Sequence, residues 1–239
     1  IDITKVPMEV GPTTHYMMGG VKVDPDTQMS EDVPGLFAAG EVAAGLHGAN
    51  RLGGNSLSDL IVFGQRAGEH AAKYVKDAPK TSVHDDDVKD AARYALEPFE
   101  REAGEGPYAV QHELQDMMQD LVGIVRTEDE MQQALGHLSK LSARATKVGV
   151  KGNREYNPGW HTALDLPNLM TVSEAITRAA LERKESRGGH FRDDHPEKKA
   201  EYSKFNILLK KGPGGEMVVS RKDLAPIRDD LQQIIEENK

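Results

Sequence analysis

The feature that most constrains this chain is a glycine-rich segment, residues 40–57, that leads directly into an apolar helical pattern. It reads GEVAAGLHGANRLGGNSL, with four further glycines after Gly40. Because glycine has no Cβ, such a backbone can approach a ligand closely. The free N–H groups at a helix start favour an anion or an electron-rich carbonyl. The segment therefore predicts a ligand site, and the alternative is an ordinary loop with a surface arginine.

Two side chains stand out as candidate ligand groups. Arg51 lies inside the glycine-rich segment, and its planar guanidinium suits bidentate binding of a carboxylate or phosphate. His15 lies in a second segment, GPTTHYMMGG, where it could donate to a substrate oxygen or be merely structural. His47 is interpreted as a hydrogen-bonding residue that orders the loop. The other histidines form no H-x-x-x-H pair, so no metal site is predicted.

Composition narrows the class of protein. The chain has no cysteine, which excludes disulfides, thiolate zinc sites, cysteine-ligated iron–sulfur clusters and cysteine nucleophiles. The net charge of -9 argues against nucleic-acid binding, which favours a basic surface. No apolar run approaches the roughly 18–20 residues that span a bilayer, so no direct membrane insertion is expected. The first residues, IDITKVP, lack the pattern of a signal peptide.

The first third of the chain predicts short strands followed by a helix. Residues 16–23 and 35–40 have the pattern of two strands, and the turn Asp24-Pro25-Asp26 between them predicts a hairpin. From Ser58 the apolar period becomes helical, and Pro79 ends the pattern. The face expected to pack against a sheet or another helix consists of Leu60, Ile61, Gly64, Ala67, Gly68, Ala71 and Val75.

Residues 86–186 predict a helical bundle after a polar, acidic linker at 82–89, within which a helix could begin. Thr127 and Glu130 have the spacing of a capping box at a helix start, and a further helix is expected to begin near Pro167. The predicted apolar stripes are Val110, Leu114, Met117, Met118, Leu121, Val122 and Val125; Met131, Leu135, Leu138, Leu141, Ala145 and Val148; and Leu169, Val172, Ile176, Ala179 and Ala180.

The last fifty residues change character again. Residues 204–210 and 216–220 predict a hairpin around a Gly-Pro-Gly-Gly turn, and residues 224–237 a short polar helix. Before them, the charged segment 185–196 follows a helix end. It is either a solvated helix terminus or an ordered, salt-bridged loop that places Arg187 or His190 near the site.

Four segments together resemble the flavoprotein subunit of succinate dehydrogenase and fumarate reductase. They are PTTHYMMGG at 12–20, GLFAAGE at 35–41, HGANRLGGNSL at 47–57 and ESRGGH at 185–190. The resemblance implies a C-terminal fragment with an α+β fold. It would hold the end of an FAD-binding α/β domain with the edge of a capping domain (1–80), an all-α helical bundle domain (81–190) and a small C-terminal α+β region (191–239).

The resemblance also assigns site residues. His15, Arg51 and Gly54 would bind the carboxylates of succinate or fumarate. Glu41 would hold the ribityl part of FAD. The helix start would contact the isoalloxazine ring through Asn55, Ser56 and Leu57. The last assignment agrees with the residue-level argument, because helix N–H groups favour negative charge on the ring.

The activity implied by the resemblance is oxidation of succinate to fumarate by hydride transfer to FAD. Electrons would pass to an iron–sulfur subunit held by a membrane anchor, at the cytoplasmic face of a bacterial inner membrane. The proton-shuttle arginine and the G-x-G-x-x-G motif that binds the ADP moiety would lie upstream of Ile1. We therefore expect no catalytic residue here, and a fragment that is inactive alone with weak or no FAD affinity.

Two alternatives stay open at this point. An L-aspartate oxidase-like flavoenzyme shares the histidine and arginine segments, although the Gly53-Gly54 pair and the charged tail favour succinate dehydrogenase. Alternatively, the helical region is a subunit-interaction module without activity of its own. In that case Met117, Met118 and Met131 would form an adaptable contact stripe rather than core.

Overall fold

The computed structural model describes residues 2–9, 11, 15–101 and 104–238. The chain forms two compact units: Ile1–Tyr94 with Gly188–His190, and Ala95–Arg187 with Phe191–Lys239. The mixed α+β class is confirmed, whereas the division into 1–80, 81–190 and 191–239 stays a prediction. Residues 12–14 of the second predicted segment lie outside the described residues.

The first unit contains isolated bridges where strands were predicted. Val21 pairs with Ala43, Val23 with Ser30, and Met29 with Phe37, and no longer ladder forms among the described residues of 16–40. The prediction of two paired strands is therefore wrong. Glycines with positive φ interrupt the first segment and lie at both ends of the second. Gly19 and Gly20 have φ of 136°, and Gly35 and Gly40 have φ of 88° and 77°, conformations that do not extend a ladder of L-residues. The predicted turn does form, since the Asp24 carboxylate accepts the Thr27 N–H at 2.8 Å.

Helix α1, Asn55–Asp77, follows the glycine-rich segment. It begins three residues before the predicted start and ends before Pro79, as predicted. Its predicted packing face is exposed in the described chain, with Leu60 at 51% and Ile61 at 72% exposure. That part of the prediction is not confirmed: among the described residues Leu60 lies against Gly40, but Ile61 and Val75 stay exposed.

Helix α2, Asp85–Glu100, begins in the first unit and ends in the second. The second unit is then built on three helices that pack against one another: α3, Pro107–Val122; α4, Glu128–Ala145; and α5, Pro158–Glu182. The capping box at α4 is confirmed: the Thr127 hydroxyl accepts the Glu130 N–H at 3.4 Å and donates to the Glu130 carboxylate at 2.8 Å. The bundle core consists mainly of Val110, Leu114, Leu138, Leu141, Val148 and Leu166. Met117 and Met131 are also buried, so these methionines are core rather than a contact stripe.

One helix start agrees with the sequence and one differs. The helix that could begin within the linker at 82–89 begins at Asp85, because three aspartates in its first turn favour a helix N-terminus. The helix expected near Pro167 begins at Pro158, and Pro167 lies inside it. Asn157 caps this helix by accepting the Trp160 N–H at 3.1 Å, and proline is well suited to the first helical position.

The C-terminal hairpin is confirmed. Strands β3 (Phe205–Lys211) and β4 (Met217–Asp223) pair antiparallel with Leu208 opposite Ser220. A shorter parallel pair joins β1, Val125–Arg126, to β2, Phe191–Arg192, so Val125 lies outside α3. Helix α6, Asp229–Glu237, begins five residues later than predicted. Across the described residues, no helix has the length and apolarity needed to cross a membrane.

Charged residues at the end of α5 form a buried network. Glu185 is fully buried and accepts hydrogen bonds from Arg183 Nη1 at 2.7 Å, Arg187 Nε at 2.7 Å and the Lys199 N–H at 2.8 Å. Burial alone would raise the pKa of Glu185, but the hydrogen bonds from Arg187, Lys199 and Arg183 outweigh it and lower the pKa to about 2. Segment 185–196 is therefore salt-bridged at Arg187, whereas the location of Arg187 near the site stays a prediction.

Candidate functional site

The glycine-rich segment brings the two predicted ligand side chains together in the first unit. Arg51 Nη2 lies 3.1 Å from His15 Nε2, and Arg51 Nη1 donates to the Leu52 carbonyl oxygen at 3.3 Å. Because arginine can only donate, His15 Nε2 acts as the acceptor in this arrangement. A guanidinium and an imidazole that are 36 residues apart in sequence thus share one location.

Arg51 also has an unused donor. Its Cζ lies 4.5 Å from the centroid of the Tyr16 ring, so the guanidinium is stacked on an aromatic face. Its Nε is buried and has no hydrogen-bond partner among the described residues. A buried unpaired donor costs about 1–3 kcal/mol, and more when it is charged. A guanidinium has five N–H groups, and the contacts named here use one on Nη1 and one on Nη2, so donors remain for an anionic ligand.

The helix start beside Arg51 is open. Gly54, the N-cap of α1, has φ of 83° and caps nothing with a side chain, and the first turn carries no acidic residue. The Asn55 N–H donates to the Leu52 carbonyl oxygen at 3.2 Å, so the N–H groups of Ser56 and Leu57 are the ones that keep their partial positive charge. A cavity of about 400 Å³ adjoins this turn, with Asn50, Asn55 and Phe63 in its walls. This volume lies within the range of ligand sites, about 300–1,000 Å³.

Glu41 is tied to the segment that carries His15. Its Oε1 accepts the Met17 N–H at 2.8 Å, and the residue lies in a single-turn 3₁₀ helix, Gly40–Val42. One oxygen of this exposed carboxylate thus fixes the backbone two residues after His15. The role of Glu41 toward the ribityl chain stays a prediction.

Sequence reasoning missed two residues of this site, Tyr16 and Asp59. The interpretation of His47 as a loop-ordering residue agrees with the structure, because its Nε2 lies 3.1 Å from Tyr16 Oη and 3.2 Å from Asp59 Oδ2. Asp59 is buried on α1 between exposed apolar residues. A lone carboxylate within the run 57–63, LSDLIVF, was the signal that could have identified it.

A distant segment completes the loop. The Gly189 N–H donates to the Ala49 carbonyl oxygen at 3.0 Å, so residues 188–190 contact the glycine-rich segment. Arg187, just before them, binds Glu185 and the Lys199 carbonyl oxygen, which commits its donors to the buried network. The proposed location of His190 near the substrate stays a prediction.

One cluster of potential metal ligands exists among the described residues. Oxygen and nitrogen atoms of Glu128, Asp194 and His195 lie within 4.8 Å of one another. Their carboxylates are already neutralised, however. Arg192 donates to Asp194 at 2.6 and 2.7 Å, and Lys184 Nζ to Glu128 at 2.8 Å. The hydrogen bonds from Arg192 lower the pKa of Asp194, as expected of an ion pair and not of a vacant cation site.

Comparison with known proteins agrees with this geometry. Residues 111–231, just over half of the chain, match the family model described as fumarate reductase flavoprotein C-term. Residues 1–57 match the FAD binding domain. The chain belongs to the succinate dehydrogenase/fumarate reductase flavoprotein family. The resemblance found in the sequence is thereby confirmed.

Some relatives are named as fumarate reductases and others as succinate dehydrogenases. The chain is 37% identical over 211 residues to one subunit of the fumarate reductase (CoM/CoB) of Methanothermobacter marburgensis, covering 88% of this chain and 38% of the relative. It is 38% identical over 224 residues to the succinate dehydrogenase flavoprotein subunit of Coxiella burnetii, covering 89% of this chain and 38% of that relative. The chain therefore spans about two fifths of the length of these relatives.

A solved structure shares the fold closely. Mycobacterium smegmatis Sdh1 superimposes with a TM-score of 0.90 at 50% sequence identity, covering all of this chain and 40% of that one. The cofactor of this family is FAD, as predicted. The open N–H groups of Ser56 and Leu57 and the adjoining cavity are compatible with the electron-rich ring end of such a cofactor. The contact of Asn55, Ser56 and Leu57 with that ring stays a prediction.

Proposed function

We propose that the chain is the C-terminal part of a flavoprotein subunit that oxidises succinate to fumarate. FAD, when bound, supplies the hydride acceptor. The observation that carries the proposal is the pairing of His15 with Arg51 at one location. A four-carbon diacid presents the carboxylates that a guanidinium and an imidazole can bind.

The residues of this chain bind and orient the substrate. Arg51 would bind one carboxylate by donating two parallel hydrogen bonds from the edge of its guanidinium. His15 lies beside that edge and would donate to an oxygen of the same substrate. Gly54 has a left-handed conformation at the helix start. Because glycine has no side chain, it would let the substrate approach the backbone. The same groups serve fumarate reduction, because forward and reverse reactions share one transition state.

The wider setting is also a proposal. We propose that electrons leave through an iron–sulfur subunit that is held by a membrane anchor, with the flavoprotein peripheral at the cytoplasmic face of the inner membrane. Support comes from the family and from relatives named as flavoprotein subunits. The 239 residues alone should neither oxidise succinate nor bind FAD tightly, because the dinucleotide-binding motif is not in the sequence. Stoichiometric FAD binding in a titration would contradict this.

The decisive test is Arg51→Lys in the complete flavoprotein. Lysine keeps the charge but loses the planar pair of donors, so kcat/KM for succinate should fall at least a hundredfold, about 3 kcal/mol. Arg154→Lys, at an exposed arginine of the second unit, is the matched control and should leave kcat/KM unchanged. An unaltered kcat/KM in Arg51→Lys would refute the assignment. Oxidation of L-aspartate in place of succinate would favour the aspartate oxidase alternative.

A further inference from the structure

The one buried residue of helix α1, all of which the structure describes, is a carboxylate. Asp59 is 5% exposed, while the large apolar residues around it face outward. Burying an ionised carboxylate is costly unless hydrogen-bond donors compensate for the lost water. Two donors do so: Tyr16 Oη donates to Asp59 Oδ2 at 3.3 Å, and His47 Nε2 lies 3.2 Å from the same oxygen.

The three polar atoms form a closed triangle. Tyr16 Oη and His47 Nε2 are themselves 3.1 Å apart, and the two rings meet edge to face with centroids 5.3 Å apart. A deprotonated Nε2 would place its lone pair against the Asp59 oxygen, so the hydrogen-bond geometry assigns the proton to Nε2. Burial, reinforced by the charge and hydrogen bond of Asp59, raises the pKa of Tyr16, which keeps the phenol protonated as a donor.

This triangle fixes the ring on which Arg51 lies. The Tyr16 hydroxyl is held by two partners at the far end of the ring, and the guanidinium Cζ lies 4.5 Å from the ring centroid. All N–H bonds of a guanidinium lie in its plane. Holding the guanidinium over the face of a fixed ring therefore restricts the directions in which Arg51 can donate.

We propose that Tyr16, His47 and Asp59 are positioning residues for the substrate arginine. They hold the Tyr16 ring, and the ring orients the guanidinium toward the substrate carboxylate. This inference rests on the proposed function of Arg51. It extends that function by adding a hydrogen-bonded support of three residues behind the binding group.

The test uses the complete flavoprotein with FAD bound. Tyr16→Leu removes both ring and hydroxyl and should raise KM for succinate roughly tenfold, with a smaller change in kcat. Tyr16→Phe keeps the ring but releases it from the triangle, and Asp59→Asn removes the charge that holds it. Both should raise KM by about threefold, and Tyr156→Phe, at a fully exposed tyrosine, should have no effect. Binding of malonate, followed by the flavin absorbance change, should weaken in the same order.

A double mutant distinguishes positioning from a general structural effect. Once Arg51→Lys has removed the planar group, Tyr16→Leu should weaken malonate binding no further, because nothing remains to be stacked. The inference would be overturned if Tyr16→Leu weakened malonate binding equally with and without Arg51→Lys. It would also be overturned if Tyr16→Leu, Tyr16→Phe and Asp59→Asn all kept the wild-type KM. If Tyr16→Leu loses FAD, Tyr16→Phe and Asp59→Asn decide alone. A wild-type enzyme that is inactive on diacids refutes the proposed function itself. If the Tyr16 variants keep the wild-type KM for succinate while Arg51→Lys loses activity, only the inference is refuted.

Discussion

Gly188 lies against the carbonyl oxygen of Ala49 so closely that a Cβ at position 188 would overlap it. The backbone at Gly188 is also left-handed, with φ of 59°. The neighbouring Gly189 N–H donates to the same oxygen at 3.0 Å. Because Ala49 precedes Arg51 by two residues, this contact helps to set the conformation of the loop that carries the substrate arginine.

Gly188→Ala should therefore weaken both stability and substrate binding. The substitution meets a positive φ and a backbone atom that cannot move aside, so a cost of about 1–3 kcal/mol is expected. Thermal unfolding of the complete flavoprotein, together with KM for succinate, measures the two effects. Gly189→Ala is the matched control, since its Cβ would come close only to the flexible end of Met18, at 3.1 Å, and would lie 3.9 Å from the Ala49 carbonyl oxygen. Equal melting temperatures for the two variants would show that the close approach is unimportant.

The buried network around Glu185 predicts a pH dependence of stability. The pKa of Glu185 is lowered from 4.5 to about 2, so its ionised form stabilises the fold fully above pH 4.5. That contribution is lost progressively as the pH falls from 4.5 toward 2. Glu185→Gln should cost about 3 kcal/mol at pH 7, because Arg183 and Arg187 lose their shared carboxylate.

The measurement is the melting temperature of the complete flavoprotein from pH 7 down to pH 3. The gap between wild type and Glu185→Gln should be widest at neutral pH and should narrow below pH 4.5. Glu155→Gln, at an exposed glutamate, supplies the baseline. A gap that widens as the pH falls would contradict the assigned direction of the pKa.

The packing of the helical core predicts how much stability is lost when a buried residue is truncated. Leu166 on α5 is fully buried within the bundle, whereas Val172 on the same helix is 47% exposed. Leu166→Ala should destabilise the protein by about 2–5 kcal/mol, since it removes buried apolar atoms and leaves a cavity. Val172→Ala should change stability by less than about 1 kcal/mol. Chemical denaturation that ranks the two variants equally would show that the bundle core is misplaced.

Local sequence signals predicted the elements they act on directly. The Thr127–Glu130 capping box and the C-terminal hairpin formed as predicted, because caps and tight turns depend on neighbouring residues. The start of α5 was misplaced at Pro167, although Asn157 and Pro158 carried the local signal for it. Its buried face includes Thr177, whose hydroxyl donates to the Ser173 carbonyl oxygen at 2.8 Å. Apolar periodicity cannot identify a polar residue that satisfies its own hydrogen bond.

The sequence by itself determined the ligand groups and the family, since His15, Arg51 and the glycines around them lie in characteristic segments. It did not determine what holds them. Tyr16, His47 and Asp59 come from separate parts of the chain and meet only in the folded first unit. A single sequence carries no distances, and a buried carboxylate is identifiable only once the donors that compensate for its lost water are in place around it.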